Sequence, residues 1–141
     1  MITEEQLSQI LPQKYPFRMI DRVIDFKKGE SLPAIKNITG NEWIYGSMTP
    51  MDIFPETLII EVAAQTAIAF YQLNSSAPQS SRIVLGRVEG EFFEAARVGD
   101  QLHLQTRQYK MFGSSGYMDV DVNTDSQQPI AVVKIFYSVM A

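Results

Sequence analysis

The chain reads as one α+β domain, a long buried helix wrapped by a curved six-stranded antiparallel sheet. Three observations predict it. The stretch from Pro55 to Phe70 is apolar on nearly every face, and a helix apolar all round is a buried one. Two strand-like runs precede that helix and four follow it, each bounded by turn residues. Helix and strands are segregated along the chain, which indicates α+β rather than parallel βαβ units. The 141 residues suffice for a real core, and 1–141 reads as that single domain.

The elements follow in order. Thr3 with Gln6 is a capping-box pattern, and Ile2, Leu7, Ile10 and Leu11 give one apolar side, so Thr3 to Leu11 is predicted to be a short helix ended by Pro12 and Pro16. Phe17 to Phe26 and Leu32 to Thr39 read as strands joined by a turn at Lys27-Lys28-Gly29-Glu30. Gly40 to Phe54 reads as irregular. Pro55 then suits the first turn of the central helix, expected from Pro55 to Leu73. Asn74 to Ser81 is a polar loop. Four strands are expected as a meander: Arg82 to Phe93, Leu102 to Phe112, Tyr117 to Asn123 and Ile130 to Val139. In the third, Met118, Val120 and Val122 alternate with Asp119 and Asp121. The last is nearly all apolar, which places it centrally in the sheet.

Composition excludes several functions. A net charge of -4 gives no electrostatic case for nucleic acid. There is no cysteine, so thiolate chemistry and disulfides are out. One histidine and no cysteine make no case for a transition-metal site, and no cofactor is expected. The N-terminus lacks a basic region and an apolar signal core, and the central helix is interrupted by Glu61, so no membrane span is expected and a cytoplasmic protein is.

Glu61 carries the chemistry. It stands in the centre of the apolar helix, and no Lys or Arg occurs between Lys36 and Arg82. Burying a carboxylate without a cation raises its pKa, which suits proton transfer near neutral pH. The plainer reading is a structural glutamate satisfied by Gln65 or by backbone.

Four segments now come together. They are Leu11-Pro12-Gln13-Lys14-Tyr15-Pro16-Phe17 with Asp21-Arg22-Val23; Ala34 to Thr39 with Asn41-Glu42; Pro55 to Gln65; and Val98-Gly99-Asp100-Gln101-Leu102. In this order and spacing, from about Ile10 to Val139, they resemble the β-hydroxyacyl-acyl-carrier-protein dehydratases of the hot-dog fold. The resemblance implies dehydration of a β-hydroxyacyl thioester to the trans-enoyl thioester. A histidine takes the α-proton, and a carboxyl on the central helix protonates the departing hydroxyl. Backbone N–H groups at the helix N-terminus polarise the thioester carbonyl. The resemblance also implies a site at a dimer interface and a substrate on acyl carrier protein or coenzyme A.

Glu61 matches the family's carboxyl. The histidine position, after Gly46, holds Ser47. A serine hydroxyl has no proton affinity near pH 7 and cannot replace an imidazole base. Met48-Thr49-Pro50 continues that departure, and Glu56 stands where a glycine is expected after Pro55. Glu89, Glu91 and Glu94 occupy a strand on which many relatives carry basic residues. The resemblance assigns Gly46, Met48, Phe54, Pro55, Glu56, Thr57 and Gln65 to substrate binding.

Other residues are weighed against plain roles. Ser47 reads as a loop serine rather than a nucleophile, because no Asp/His pair is in reach by sequence. Asp52 is either a replacement base or a solvated carboxylate. His103, between Leu102 and Leu104, should be exposed. Trp43, Tyr45, Met48, Met51, Ile53 and Phe54 line either a packing contact or an acyl channel.

Three functions remain in competition. One is an acyl-thioester protein of the dehydratase family, catalytically degenerate or complementing a histidine-bearing partner chain as a heterodimer. The second is a hot-dog thioesterase using the helix carboxylate. The third is a non-catalytic acyl-binding or scaffold protein. At least a dimer is expected, because one curved sheet leaves open edges.

Overall fold

The computed structural model describes residues 2–14, 16–42, 53–75 and 82–140, apart from the side chains of 108 and 109. Helix α1 (Glu4–Ile10) begins where the capping box predicts. Thr3 Oγ1 accepts from the Gln6 N–H at 3.1 Å, and Gln6 Oε1 accepts from the Thr3 N–H at 2.9 Å. Leu7 seats α1 on the core.

Strands β1 (Arg22–Val23) and β2 (Pro33–Asn37) form the predicted hairpin. Gly29 in its turn has φ 79°, a conformation glycine adopts without strain. β1 is much shorter than the expected strand. The segment from Phe17 to Ile20 joins no ladder; part of its backbone bonds a side chain of the central helix instead.

Next come β3 (Ile53–Phe54), α2 (Glu56–Asn74), β4 (Arg82–Phe92), β5 (Ala96–Arg97), β6 (Gln101–Phe112), β7 (Ser115–Thr124) and β8 (Pro129–Met140). α2 matches the expected central helix to within a residue at each end, with Pro55 as its N-cap. Every position from Val62 to Phe70 is buried. A helix buried on all sides needs no polar stripe, which explains its composition.

The six-stranded antiparallel sheet has the order β1-β2-β6-β7-β8-β4. This corrects the expected meander. β4 does not pair with β6; it lies outside β8, in register Val88 with Ile135 and Glu91 with Val132. Periodicity shows which face a strand buries but not which neighbour it takes. β8 thus gains strands on both sides, as its nearly continuous apolar run suggests. β3 and β5 form a separate two-stranded ribbon in segments with no strand signal.

The inner face of the sheet packs on α2 through Leu102, Leu104, Met118, Val120, Val133 and Ile135. Lys36 is the charged exception on that face. His103 alternates to the outer face. It is half-buried rather than exposed, with its Nε2 2.7 Å from Gln101 Oε1. Asp119 also faces outward, yet Arg107 at 3.6 Å and Lys134 at 3.9 Å help cover it to 5% exposure. Glu89, Glu91 and Glu94 are exposed.

Both sheet edges differ from the centre. β1 is two residues long, whereas β4 runs 11 residues with its outer side open. Ile83, Val88 and Phe92 of β4 are only half-buried, and Leu85 is exposed. Among the described residues no helix is long and apolar enough to cross a membrane.

Candidate active site

The site is built around the middle of α2. Glu61 lies one turn before Gln65, so their side chains share a helix face. Gln65 Nε2 donates to Glu61 Oε2 at 2.8 Å and to the Phe17 carbonyl at 2.9 Å. Gln65 Oε1 accepts from the Met19 N–H at 2.8 Å. The amide is completely buried, and both of its ends are satisfied. Only one amide orientation meets both a carbonyl and an N–H, so Glu61 faces a fixed donor.

Glu61 is half-buried. Burial pushes its carboxyl above the ordinary value, while the hydrogen bond from Gln65 acts in the opposite direction and is outweighed. No salt bridge to Glu61 occurs among the described residues. The local sequence, without a cation in reach, anticipates this environment.

The N-terminus of α2 supplies donors. Leu58 and Ile59 N–H groups bond the Pro55 carbonyl at 3.0 and 3.1 Å. No side chain caps the helix, and among the described residues no acceptor meets the N–H of Glu56 or Thr57. Both residues are exposed. Phe54 is buried in β3, which the ribbon with β5 pins in place, and Pro55 is half-buried.

Gly46, Ser47, Met48 and Asp52 lie outside the described residues, as do Trp43, Tyr45 and Met51. The structure therefore brings together Glu61 and Gln65, with Phe54, Pro55, Glu56 and Thr57 on the same helix or at its entry. His103 sits on the sheet face opposite α2 and takes no part. Among the described residues no group of three or more His, Cys, Asp or Glu is arranged to hold a metal ion.

Sequence reasoning missed two groups. The Phe17 carbonyl and the Met19 N–H fix Gln65, and no side-chain signal marks a backbone partner. Buried Lys36 and half-buried Glu42 form an ion pair beside Phe54. The alternation Ala34, Lys36, Ile38, which puts a cation on an apolar face, could have shown it.

The family model of the FabA-like domain matches residues 11–128. The chain belongs to the FabA-like family of hydroxyacyl-acyl-carrier-protein dehydratases. A protein named 3-hydroxyacyl-[acyl-carrier-protein] dehydratase FabZ from Shewanella woodyi is 32% identical over 126 residues, covering 87% of this chain and 83% of that protein. Its namesake from Oceanobacillus iheyensis is 33% identical over 118 residues, covering 82% and 84%. Solved structures establish the hot-dog fold of this FabA-like chain. A thioesterase from Haemophilus influenzae superposes with a TM-score of 0.74 at 13% identity, covering 99% of this chain and 92% of that one. A Streptococcus mutans protein bound to acetyl CoA gives 0.71 at 15% identity, covering 93% and 96%. At such identities the likeness concerns the fold alone.

Proposed function

We propose that this chain is an acyl-thioester protein of the dehydratase family that keeps the acid and has lost the base. The observation that carries this is the Glu61–Gln65 unit. A carboxyl held by one neutral donor, with its pKa raised by burial, is a proton donor aimed from the helix. The free N–H groups of Glu56 and Thr57 offer a seat for a thioester carbonyl. Gly46, Met48, Phe54 and Pro55 are the further residues we assign to substrate contact.

The base is the missing part. Ser47 takes the family's histidine position and cannot accept the α-proton near neutral pH. The sole histidine, His103, is on the wrong face of the sheet. Proton abstraction therefore requires an imidazole from elsewhere, and a homologous partner chain that keeps its histidine supplies one. The substrate is a β-hydroxyacyl thioester of acyl carrier protein or coenzyme A.

The thioesterase reading needs Glu61 as a nucleophile or base. Relatives that share about a third of this sequence are named dehydratases, which favours the acid role over that one. A hydroxyacyl thioester followed at the enoyl chromophore and with a thiol reagent tests all three functions. Enoyl formation in the presence of a histidine-bearing homologue supports the proposal. Thiol release by this chain alone would replace it with the thioesterase reading, and neither signal would leave an acyl-binding protein.

A further inference from the structure

A lysine occupies an inner-face position of β2 where an apolar residue would pack as well. Lys36 is 7% exposed and pairs with Leu102 across the ladder. Its Nζ donates to both oxygens of Glu42, at 3.1 and 3.2 Å. The same ammonium lies 5.7 Å from the centre of the Phe54 ring, which is itself buried. Glu42 is held in turn, accepting from the Thr39 N–H and hydroxyl at 3.1 Å each.

Stability alone does not account for this pair. Desolvating two charges offsets much of their attraction, and apolar replacements for both partners are often neutral or favourable. What the pair does uniquely is geometric. Glu42 and Phe54 stand on either side of residues 43–53 in the sequence, and one buried cation touches both. Phe54 leads directly into Pro55, whose carbonyl starts α2. Lys36 thus connects β2, the strand next to the short β1 edge of the sheet, to the entry of the helix that carries Glu61.

We propose that Lys36 is a positioning residue, which fixes the N-terminus of α2 on β2 by bridging Glu42 and Phe54, and so sets where a thioester carbonyl is seated. The functional half of this statement rests on the dehydratase-family reading; the structural half does not.

The test uses amide hydrogen exchange in the full-length protein. The Leu58 and Ile59 amides, bonded to Pro55, report the first turn of α2, and the Val120 and Val133 amides report global opening. Lys36→Met leaves the half-buried Glu42 without its cation, held only by Thr39, so some global loss is expected. The double variant Lys36→Met with Glu42→Leu removes both charges and restores the unfolding midpoint in urea. In that double variant, exchange at Leu58 and Ile59 should still be raised by about tenfold while Val120 and Val133 return to parental rates. Lys36→Arg, which keeps the cation, should largely preserve the slow exchange. If Leu58 and Ile59 follow Val120 and Val133 in both variants, or do not change at all, Lys36 is not a positioning residue.

A second readout concerns the seat. Equilibrium binding of a non-hydrolysable acyl-pantetheine analogue should weaken by about tenfold in the double variant despite its restored stability. If the parent does not bind the analogue, the acyl-thioester reading fails while the exchange result still decides the role of Lys36. If the parent binds and the double variant binds equally well, the positioning claim is overturned.

Discussion

Gln65 donates to Glu61 Oε2 at 2.8 Å while accepting the Met19 N–H at 2.8 Å, so the carboxyl and its donor are anchored to backbone outside the helix. The orientation of Glu61 is therefore a property of three segments: α2, the Phe17 carbonyl and the Met19 amide. Gln65→Leu keeps the bulk and removes every one of these bonds. Met19 is buried, so its N–H would be left without an acceptor, at a cost of roughly 1–3 kcal/mol. Phe17 is 43% exposed, and its carbonyl can turn to water at little cost. Urea unfolding of Gln65→Leu should show the lower stability. Titration of Glu61 by carboxyl NMR should show its pKa rising further, because the opposing hydrogen bond is gone.

Glu61 itself gives a pH-dependent prediction. Its folded pKa stands above the ordinary carboxylate value, so the native state holds this proton more tightly than the unfolded chain. The associated stability is full below the unfolded pKa and is lost as pH rises through the folded one. Glu61→Gln removes that loss and can still accept from Gln65. Urea midpoints should show the variant no less stable than the parent at pH 7, with any relative gain vanishing below about pH 4. Strong destabilisation at neutral pH would instead identify Glu61 as an ion-paired structural group.

The open side of β4 predicts an assembly. An 11-residue edge strand with half-buried Ile83, Val88 and Phe92 and an exposed Leu85 is a surface that another chain would cover. We expect a dimer at micromolar concentration by light scattering, formed by edge-to-edge pairing of β4. Leu85→Glu should shift it to monomer while leaving the far-UV circular dichroism of the fold unchanged. A parent that is monomeric at that concentration would remove the basis for a site shared between protomers.

The parts of this fold that were legible in the sequence are those in which a side-chain pattern and the packing coincide. The composition of α2 alone placed it within a residue at each end. Met118, Val120 and Val122 marked the inner face of β7 by simple alternation. The Thr3–Gln6 box located the start of α1. What escaped were features that depend on where another segment lies. β4 carries an ordinary strand pattern, and nothing in it indicates β8 as its neighbour. The run from Phe17 to Ile20 is apolar enough for a strand, yet Gln65 uses backbone groups from it. His103 alternates outward as expected, but Gln101 and the neighbouring strands partly cover it. At the site, Glu61 and Gln65 were readable because helix spacing joins them. The Lys36–Glu42 pair is only hinted at by a cation in the alternation Ala34, Lys36, Ile38, because its partner is set by the turn that follows β2.

The proposed loss of the base yields the sharpest prediction. Alone, this chain should show little or no dehydration, because the α-proton of a thioester needs a positioned acceptor and Ser47 offers none. General-base catalysis contributes on the order of a hundred- to ten-thousand-fold, so the deficit should be plain in any enoyl assay. Glu61, Gln65 and the free amides of Glu56 and Thr57 remain, which makes the site repairable. Ser47→His should raise dehydration activity, and so should mixing with a homologous chain that keeps its histidine. In either background Glu61→Gln should abolish the gain, since the departing hydroxyl then lacks its proton. The mixing experiment matters because Met48-Thr49-Pro50 also departs from the family's motif, and a histidine introduced at 47 then depends on neighbours that differ. Robust dehydration by the unmodified homodimer that survives Glu61→Gln would place the chemistry on other residues. Asp52, five residues after Ser47 and between it and the start of α2, would be the first to substitute.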